Sequence, residues 1–201
     1  MVVDMDDGSV HEWDLTTWQE SRSWQGAADT PYPTFSQDGR WSLALGLEGA
    51  SLLREIATGR ETNHRLDFRG VNNTTFSPDG RFFAAASELG YAKLWEAATF
   101  TELATFRGFL RAVHSVAFSP DGGRLALVGE GSEAVKLWDV ESYQELLTLE
   151  GDGSLFGSSA FSPDGNVVGS RNAQGELHLW RAPSWEEIEV AEKRLESGQS
   201  P

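Results

Sequence analysis

Four copies of one turn, Phe-Ser-(Pro/Gln)-Asp-Gly, stand at Phe35–Gly39, Phe76–Gly80, Phe118–Gly122 and Phe161–Gly165, at intervals of 41, 42 and 43 residues. Self-similarity at a fixed period of this size restricts a chain to stacked copies of one supersecondary unit. A second mark follows each turn after 19 or 20 residues: Leu94-Trp95, Leu137-Trp138 and Leu179-Trp180, with Leu53-Arg54 in the same place in the first of the four units. The longer offset belongs to the unit that holds the extra Gly123. Glu12-Trp13 preserves a fifth copy whose turn is absent. Four residues after the tryptophan position stand Thr17, Thr58, Thr99, Ser142 and Ser184, and seven after it Glu20, Glu61, Glu102, Glu145 and Glu187. Between the two lies Trp18, Gly59, Phe100, Tyr143 or Trp185.

Local chemistry gives the content of each unit. In Ser-Pro-Asp-Gly the proline fixes φ, the aspartate bonds its own backbone and the glycine takes positive φ. The flanking runs, such as Arg124 to Val128 and Ala134 to Trp138, are short, β-favouring and partly alternating. Each unit is therefore expected to be four antiparallel strands.

These coupled spacings resemble the WD-repeat (WD40) β-propeller family, whose repeats fold as four-stranded blades and carry a terminal Trp-Asp dipeptide. Trp13-Asp14 and Trp138-Asp139 match the dipeptide, Trp95-Glu96 and Trp180-Arg181 depart from it, and Arg54-Glu55 lacks the tryptophan. The resemblance implies an all-β propeller of four-stranded antiparallel blades with an incomplete ring of about four and a half blades. It further implies the C-terminal part of a longer bacterial-type WD-repeat protein, a kind often fused to a kinase or another signalling module. The blades are expected at residues 1–29 (partial), 30–70, 71–110, 111–151 and 152–183. The family's blade-joining histidine follows none of Gly26, Gly70, Gly108 or Gly151. Its polar network is thus largely missing, which leaves stability to packing.

Residues 184–201 differ in kind. Ser184 and Glu187 have capping-box spacing, and Trp185, Ile188, Ala191 and Leu195 recur at helical spacing, which predicts a short C-terminal helix with a frayed tail. The alternative is an outermost strand over Glu187 to Val190.

Composition narrows function. With 16 Lys+Arg against 31 Asp+Glu and a net charge of −15, the chain is repelled by phosphate backbones, so no nucleic-acid partner is expected. There is no cysteine, and no apolar run approaches the roughly 20 residues that would span a bilayer. No membrane partner is expected either, and the cytoplasm is the expected location. No catalytic constellation, metal site or cofactor motif emerges, and no cofactor is expected. His11 and His178 share one repeat position with Lys93 and Lys136, which suggests solvent-facing strand residues. The repeated Asp38, Asp79, Asp121 and Asp164 belong to the turns.

What remains is the loops at one end of the propeller, because loops on a rigid scaffold carry function. There Arg69, Arg107, Arg111 and Arg171 offer cations, and Tyr91, Phe109 and Phe156, with Trp24 and Tyr32, offer aromatic anchors, the residue types that binding hot spots favour. The expected function is a non-catalytic scaffold binding a protein partner, either an acidic one that meets Arg69, Arg107 and Arg111 or another propeller segment that completes the ring. The alternatives are a degenerate fragment with no independent function and an enzymatic propeller, which would need polar side chains converging on its channel.

Overall fold

The computed structural model describes residues 2–4, 9–25, 33–46, 48–151 and 153–182, and every regular element among them is a strand. Sheet one holds β1 (Val2–Asp4), β2 (Ser9–Asp14) and β3 (Gln19–Gln25). Sheet two holds β4 (Thr34–Phe35), β5 (Trp41–Leu45), β6 (Ala50–Glu55) and β7 (Glu61–Arg65). Sheet three holds β8 (Val71–Phe76), β9 (Phe82–Ser87), β10 (Ala92–Glu96) and β11 (Glu102–Phe106). Sheet four holds β12 (Ser115–Phe118), β13 (Arg124–Val128), β14 (Glu133–Asp139) and β15 (Glu145–Glu150). Sheet five holds β16 (Phe156–Phe161), β17 (Val167–Asn172) and β18 (Leu177–Arg181). Strands follow sequence order within each sheet and all pair antiparallel. Three sheets are therefore complete four-stranded blades. The ring is open, with inner strand β4 against β8, β8 against β12 and β12 against β16. The expected helix over 184–195, and the alternative strand, lie outside the described residues.

The repeated turn joins the first two strands of sheets two to five. In each, the serine hydroxyl donates to the aspartate Oδ1, as Ser36 does to Asp38 and Ser77 to Asp79 at 2.6 Å. The same Oδ1 accepts the N–H two residues on, from Arg40, Arg81, Gly123 or Asn166. The serine oxygen meanwhile accepts the N–H that opens the next strand, at 2.8–3.0 Å. Gln37 replaces proline without loss of this pattern, because proline contributes only its fixed φ.

In three of the turns these bonds hold the carboxylate, that of Asp79, Asp121 or Asp164, below its ordinary pKa. The Ser119 hydroxyl and the Gly123 N–H depress Asp121, and the Ser162 hydroxyl and the Asn166 N–H depress Asp164. At Asp79 burial pushes upward, but the Ser77 hydroxyl and the Arg81 N–H outweigh it. A depressed folded-state pKa contributes stability above the unfolded value, and this is lost as pH falls through the folded value. Ser119→Ala should therefore destabilise the chain at pH 7, and its deficit against wild type should shrink below about pH 4. Urea midpoints measured across that range check this; a deficit that stays constant would contradict it.

The turn between third and fourth strands explains the Trp-Asp/Glu and Thr/Ser positions together. The acidic residue after the tryptophan position accepts from the hydroxyl three residues further on: Glu55 from Thr58 at 2.7 Å, Glu96 from Thr99 at 2.6 Å, and Asp139 from Ser142 at 2.6 Å. Glutamate thus does the work of the family's aspartate. The next residue closes the turn with its N–H on the carbonyl four residues back, in the left-handed region: Trp18, Phe100 and Tyr143 at φ 55°, 58° and 60°, and Gly59 at 70°. A left-handed aromatic is uncommon. Phe100 is held there by stacking on His64 of the preceding blade, with ring centres 3.9 Å apart.

Period-2 alternation makes both faces of each blade apolar, so the cores lie between sheets. Leu43, Leu45 and Leu53 of sheet two meet Phe76, Phe83 and Trp95 of sheet three. The other face of sheet three, Ala84, Ala86 and Leu94, meets Val116, Leu125 and Val140 of sheet four. The far face of sheet four, with Ala126 and Val128, meets Phe156 and Val168 of sheet five. Near the axis the blades are also stitched by hydrogen bonds, since Asn73 Oδ1 accepts the Val116 N–H and Ser115 Oγ the Ser159 N–H, both at 3.1 Å. As the missing histidines imply, the tryptophan network is not formed: the buried Trp138 Nε1 has no partner. Trp180 Nε1 instead donates to the Glu150 carbonyl at 3.0 Å.

The lysines at the shared His/Lys position correct the expectation of solvent-facing residues. Lys93 and Lys136 are buried, because their stems lie in the contact with the preceding blade while each ammonium reaches the glutamate of its own outer strand. Lys93 Nζ is 2.8 Å from Glu102 Oε2 and donates to the Asp67 carbonyl at 2.8 Å, and Lys136 Nζ is 3.4 Å from Glu145 Oε1. His11 makes the same pair with Glu20 at 3.0 Å. His178 packs between Phe156 and Trp180. In sheet two, where Arg54 stands at the tryptophan position, that arginine itself takes Glu61, at 2.6 Å.

Candidate protein-interaction surface

At one end of the blades, the turn between β9 and β10 and the two flanking blade junctions lock together. Ser87 Oγ donates to the Arg69 carbonyl at 2.6 Å, and Tyr91 Oη accepts the Arg69 N–H at 3.1 Å. Glu88 N–H bonds the Gly70 carbonyl and Val113 N–H the Ser87 carbonyl. At Gly90, φ is 82° and a Cβ would lie 2.9 Å from the Arg111 carbonyl oxygen, so the approach of the 107–113 junction requires glycine. These ties make a firm platform from loops.

On this platform the structure brings together Arg69, Tyr91, Arg107 and Arg111. The Arg107 guanidinium lies over the Tyr91 ring, 5.7 Å from its centre, a cation–π arrangement that pre-orients the charge. Arg69 pairs with Glu48 at 3.8 Å and Arg111 with Glu130 at 3.7 Å. The positive area is therefore weaker than three arginines suggest, since exposed pairs of this length are loose. Phe109 is half-buried rather than displayed. It plugs the junction, and a Cβ on Gly129 would come within 2.8 Å of its ring.

Two expected contact residues fall elsewhere. Phe156 is fully buried, because β16 starts with its side chain turned toward sheet four, so it is a core residue and no surface anchor. Arg171 pairs in register with Ser158 and Leu177, on the face of sheet five that points away from sheet four. Tyr32 lies outside the described residues, as does the side chain of Trp24. The residue that the reading of aromatics and arginines missed is Leu110, between Arg107 and Arg111. It is 99 % exposed, at the tip of a junction whose other apolar member, Phe109, faces inward. A Phe-Leu pair between two arginines was the available signal.

A second concavity, of about 730 Å³, runs along the axis between the inner strands. Its polar lining is amide and hydroxyl, including Asn73, Thr74, Ser115 and Ser159, with no titratable side chain. Asn73 and Ser115 are committed to the stitches between blades. Among the described residues no cluster of three or more His, Asp or Glu side chains has the geometry to hold a metal ion.

The sequence model of the WD domain, G-beta repeat, matches residues 60–96 and 100–139. These two stretches are similar to WD repeats. They span β10 and β14 with their Trp95 and Trp138, and they include every member of the loop platform, from Arg69 and Tyr91 to Arg107, Leu110 and Arg111. The candidate surface thus lies within the two matched repeats. No curated protein matches the chain at a significant level.

Proposed function

We propose that this chain is a non-catalytic cytoplasmic scaffold that binds an acidic protein segment through the platform around Leu110. WD repeats generally mediate protein–protein interaction, and the observation that carries the reading is Leu110, 99 % exposed between two arginines on a junction tied to the β9–β10 turn by the Val113 N–H on the Ser87 carbonyl. An exposed leucine beside a tied loop is an apolar anchor whose burial by a partner orders only a short side chain. Arg107, over Tyr91, supplies the charge that selects a carboxylate beside the partner's apolar pocket. Another partner, a propeller segment that extends the ring, would meet a different surface, the outward face of sheet five.

Capture from a source lysate with wild type and with Leu110→Asp/Arg107→Glu tests the loop reading. Both positions are exposed, so the variant should keep the wild-type circular dichroism and urea midpoint. Loss of a hot spot weakens binding by about 30-fold or more, enough to empty the capture of its specific partner. An unchanged set of captured proteins would sink the proposal.

A further inference from the structure

The contact between consecutive sheets has a fixed pair of positions. The leucine before the tryptophan position points toward the following sheet, and the residue two after it points toward the preceding one. Leu53 and Ala97 share the core between sheets two and three, and Leu94 and Val140 the core between sheets three and four. Leu94 is 0 % and Val140 8 % exposed. The same two positions at the ends of the described fold are uncovered: Leu179 of sheet five is 63 % exposed, and Leu15, in the turn between β2 and β3 of sheet one, is 53 % exposed. Leu177 beside Leu179 is exposed as well. Sheet five thus presents the following-side half of an interface that the chain forms three times internally, and sheet one presents the preceding-side half.

From this we infer that the chain self-associates head to tail, with sheet one of a second copy seated on the outward face of sheet five so that Leu15 meets Leu179. Charge favours that seat. Strand alternation puts Arg171 on the outward face of sheet five, whose described strands hold no carboxylate, whereas sheet one brings Glu20 beside His11. Gly169 sits under Leu177 and Leu179, whose methyl groups cover it, at the position that holds Ala84 in sheet three and Ala126 in sheet four. Ser158, which continues the series of Asn73 and Ser115, is exposed. The contact is heterologous, so it propagates into a ring or a chain rather than stopping at a symmetric pair. It is independent of the loop platform.

The chain has no cysteine, so single-cysteine variants give an unambiguous test. Leu15→Cys and Leu179→Cys chains, mixed and treated with a short bis-maleimide that does not demand disulfide geometry, should yield a covalent dimer that neither variant yields alone. Sedimentation velocity of the wild type, in salt that screens the repulsion between chains of net charge −15, should show mass rising with concentration. Leu177→Glu/Leu179→Glu should weaken that association by about tenfold or more, while Leu110→Asp should leave it intact. Three results would overturn the inference: a wild type that stays monomeric up to roughly 100 µM, cross-linking by Leu179→Cys alone, or a monomer in which Cys at 179 is slow to react because residues 183–201 cover the face.

Discussion

Replacing Trp95 by alanine lowers the stability of the chain by about 3–5 kcal/mol, the usual cost of truncating a buried aromatic. Trp95 is 1 % exposed, stacks on Phe83 at 5.0 Å and meets the edge of Phe68 at 5.4 Å, so the cavity opens in the middle of the core between sheets two and three. Against a total stability of about 5–15 kcal/mol, that is a large share, and the variant's urea midpoint should fall steeply. Arg54 occupies the same repeat position, yet Arg54→Ala removes only a half-exposed pair with Glu61 and should cost about 1 kcal/mol or less. Urea midpoints of the two variants give the comparison. Equal falls would contradict the alignment of Arg54 with the tryptophans.

Lys93→Glu is the second severe substitution. It puts a carboxylate where an ammonium lies within 2.8 Å of Glu102 and 3.7 Å of Asp67 Oδ2, under a nearly complete cover of protein. An uncompensated charge at such a site typically costs about 3–5 kcal/mol. Restoring the pair in reverse, as Lys93→Glu/Glu102→Lys, should recover part of that loss, because the attraction returns while the Asp67 carbonyl still lacks its donor. Lys93→Met, which keeps the stem and drops the charge, should sit between wild type and Lys93→Glu. Thermal and urea unfolding of these proteins, with Glu102→Lys as the second single variant, complete a double-mutant cycle. A reversed pair no more stable than Lys93→Glu would show that the glutamate contributes nothing to holding this position.

Much of the architecture was legible because it is written in turns. A Ser-Asp-Gly sequence closes through its own side chains, so Phe35, Phe76, Phe118 and Phe161 mark strand ends whatever surrounds them. The direction of the strand residues was harder. Alternation tells which residues share a face, but in a blade both faces are covered, so Lys93 and Lys136 could be taken for surface residues until the preceding sheet was in place. The invariant glutamate seven residues after the tryptophan position and the Lys/His two before it were both visible in the sequence. What joins them is a β-bulge at the tryptophan, between Leu94 and Trp95 and again between Leu137 and Trp138, and bulges re-aim side chains in ways no periodicity shows. At the loop surface, residue type pointed to Arg107 and Tyr91, whose side chains do meet. It also pointed to Phe156, which only tertiary packing could remove, and it passed over Leu110.

The blade built on Arg54 shows that this unit has two self-consistent solutions. In one, a tryptophan fills the space between sheets, the outer strand bulges, and a lysine or histidine two residues earlier holds the glutamate. In the other, the pairing of β6 with β7 runs without a bulge, the earlier position is Leu52, and Arg54 holds Glu61 directly. A mutational path between them cannot be a single step: Arg54→Trp alone strands Glu61, and Leu52→Lys alone crowds a second cation beside the guanidinium. Such a barrier lets neighbouring repeats of common ancestry diverge into separate sequence classes without changing shape. A family signature centred on tryptophan then passes over a blade that is structurally whole, and here it begins its match only at residue 60.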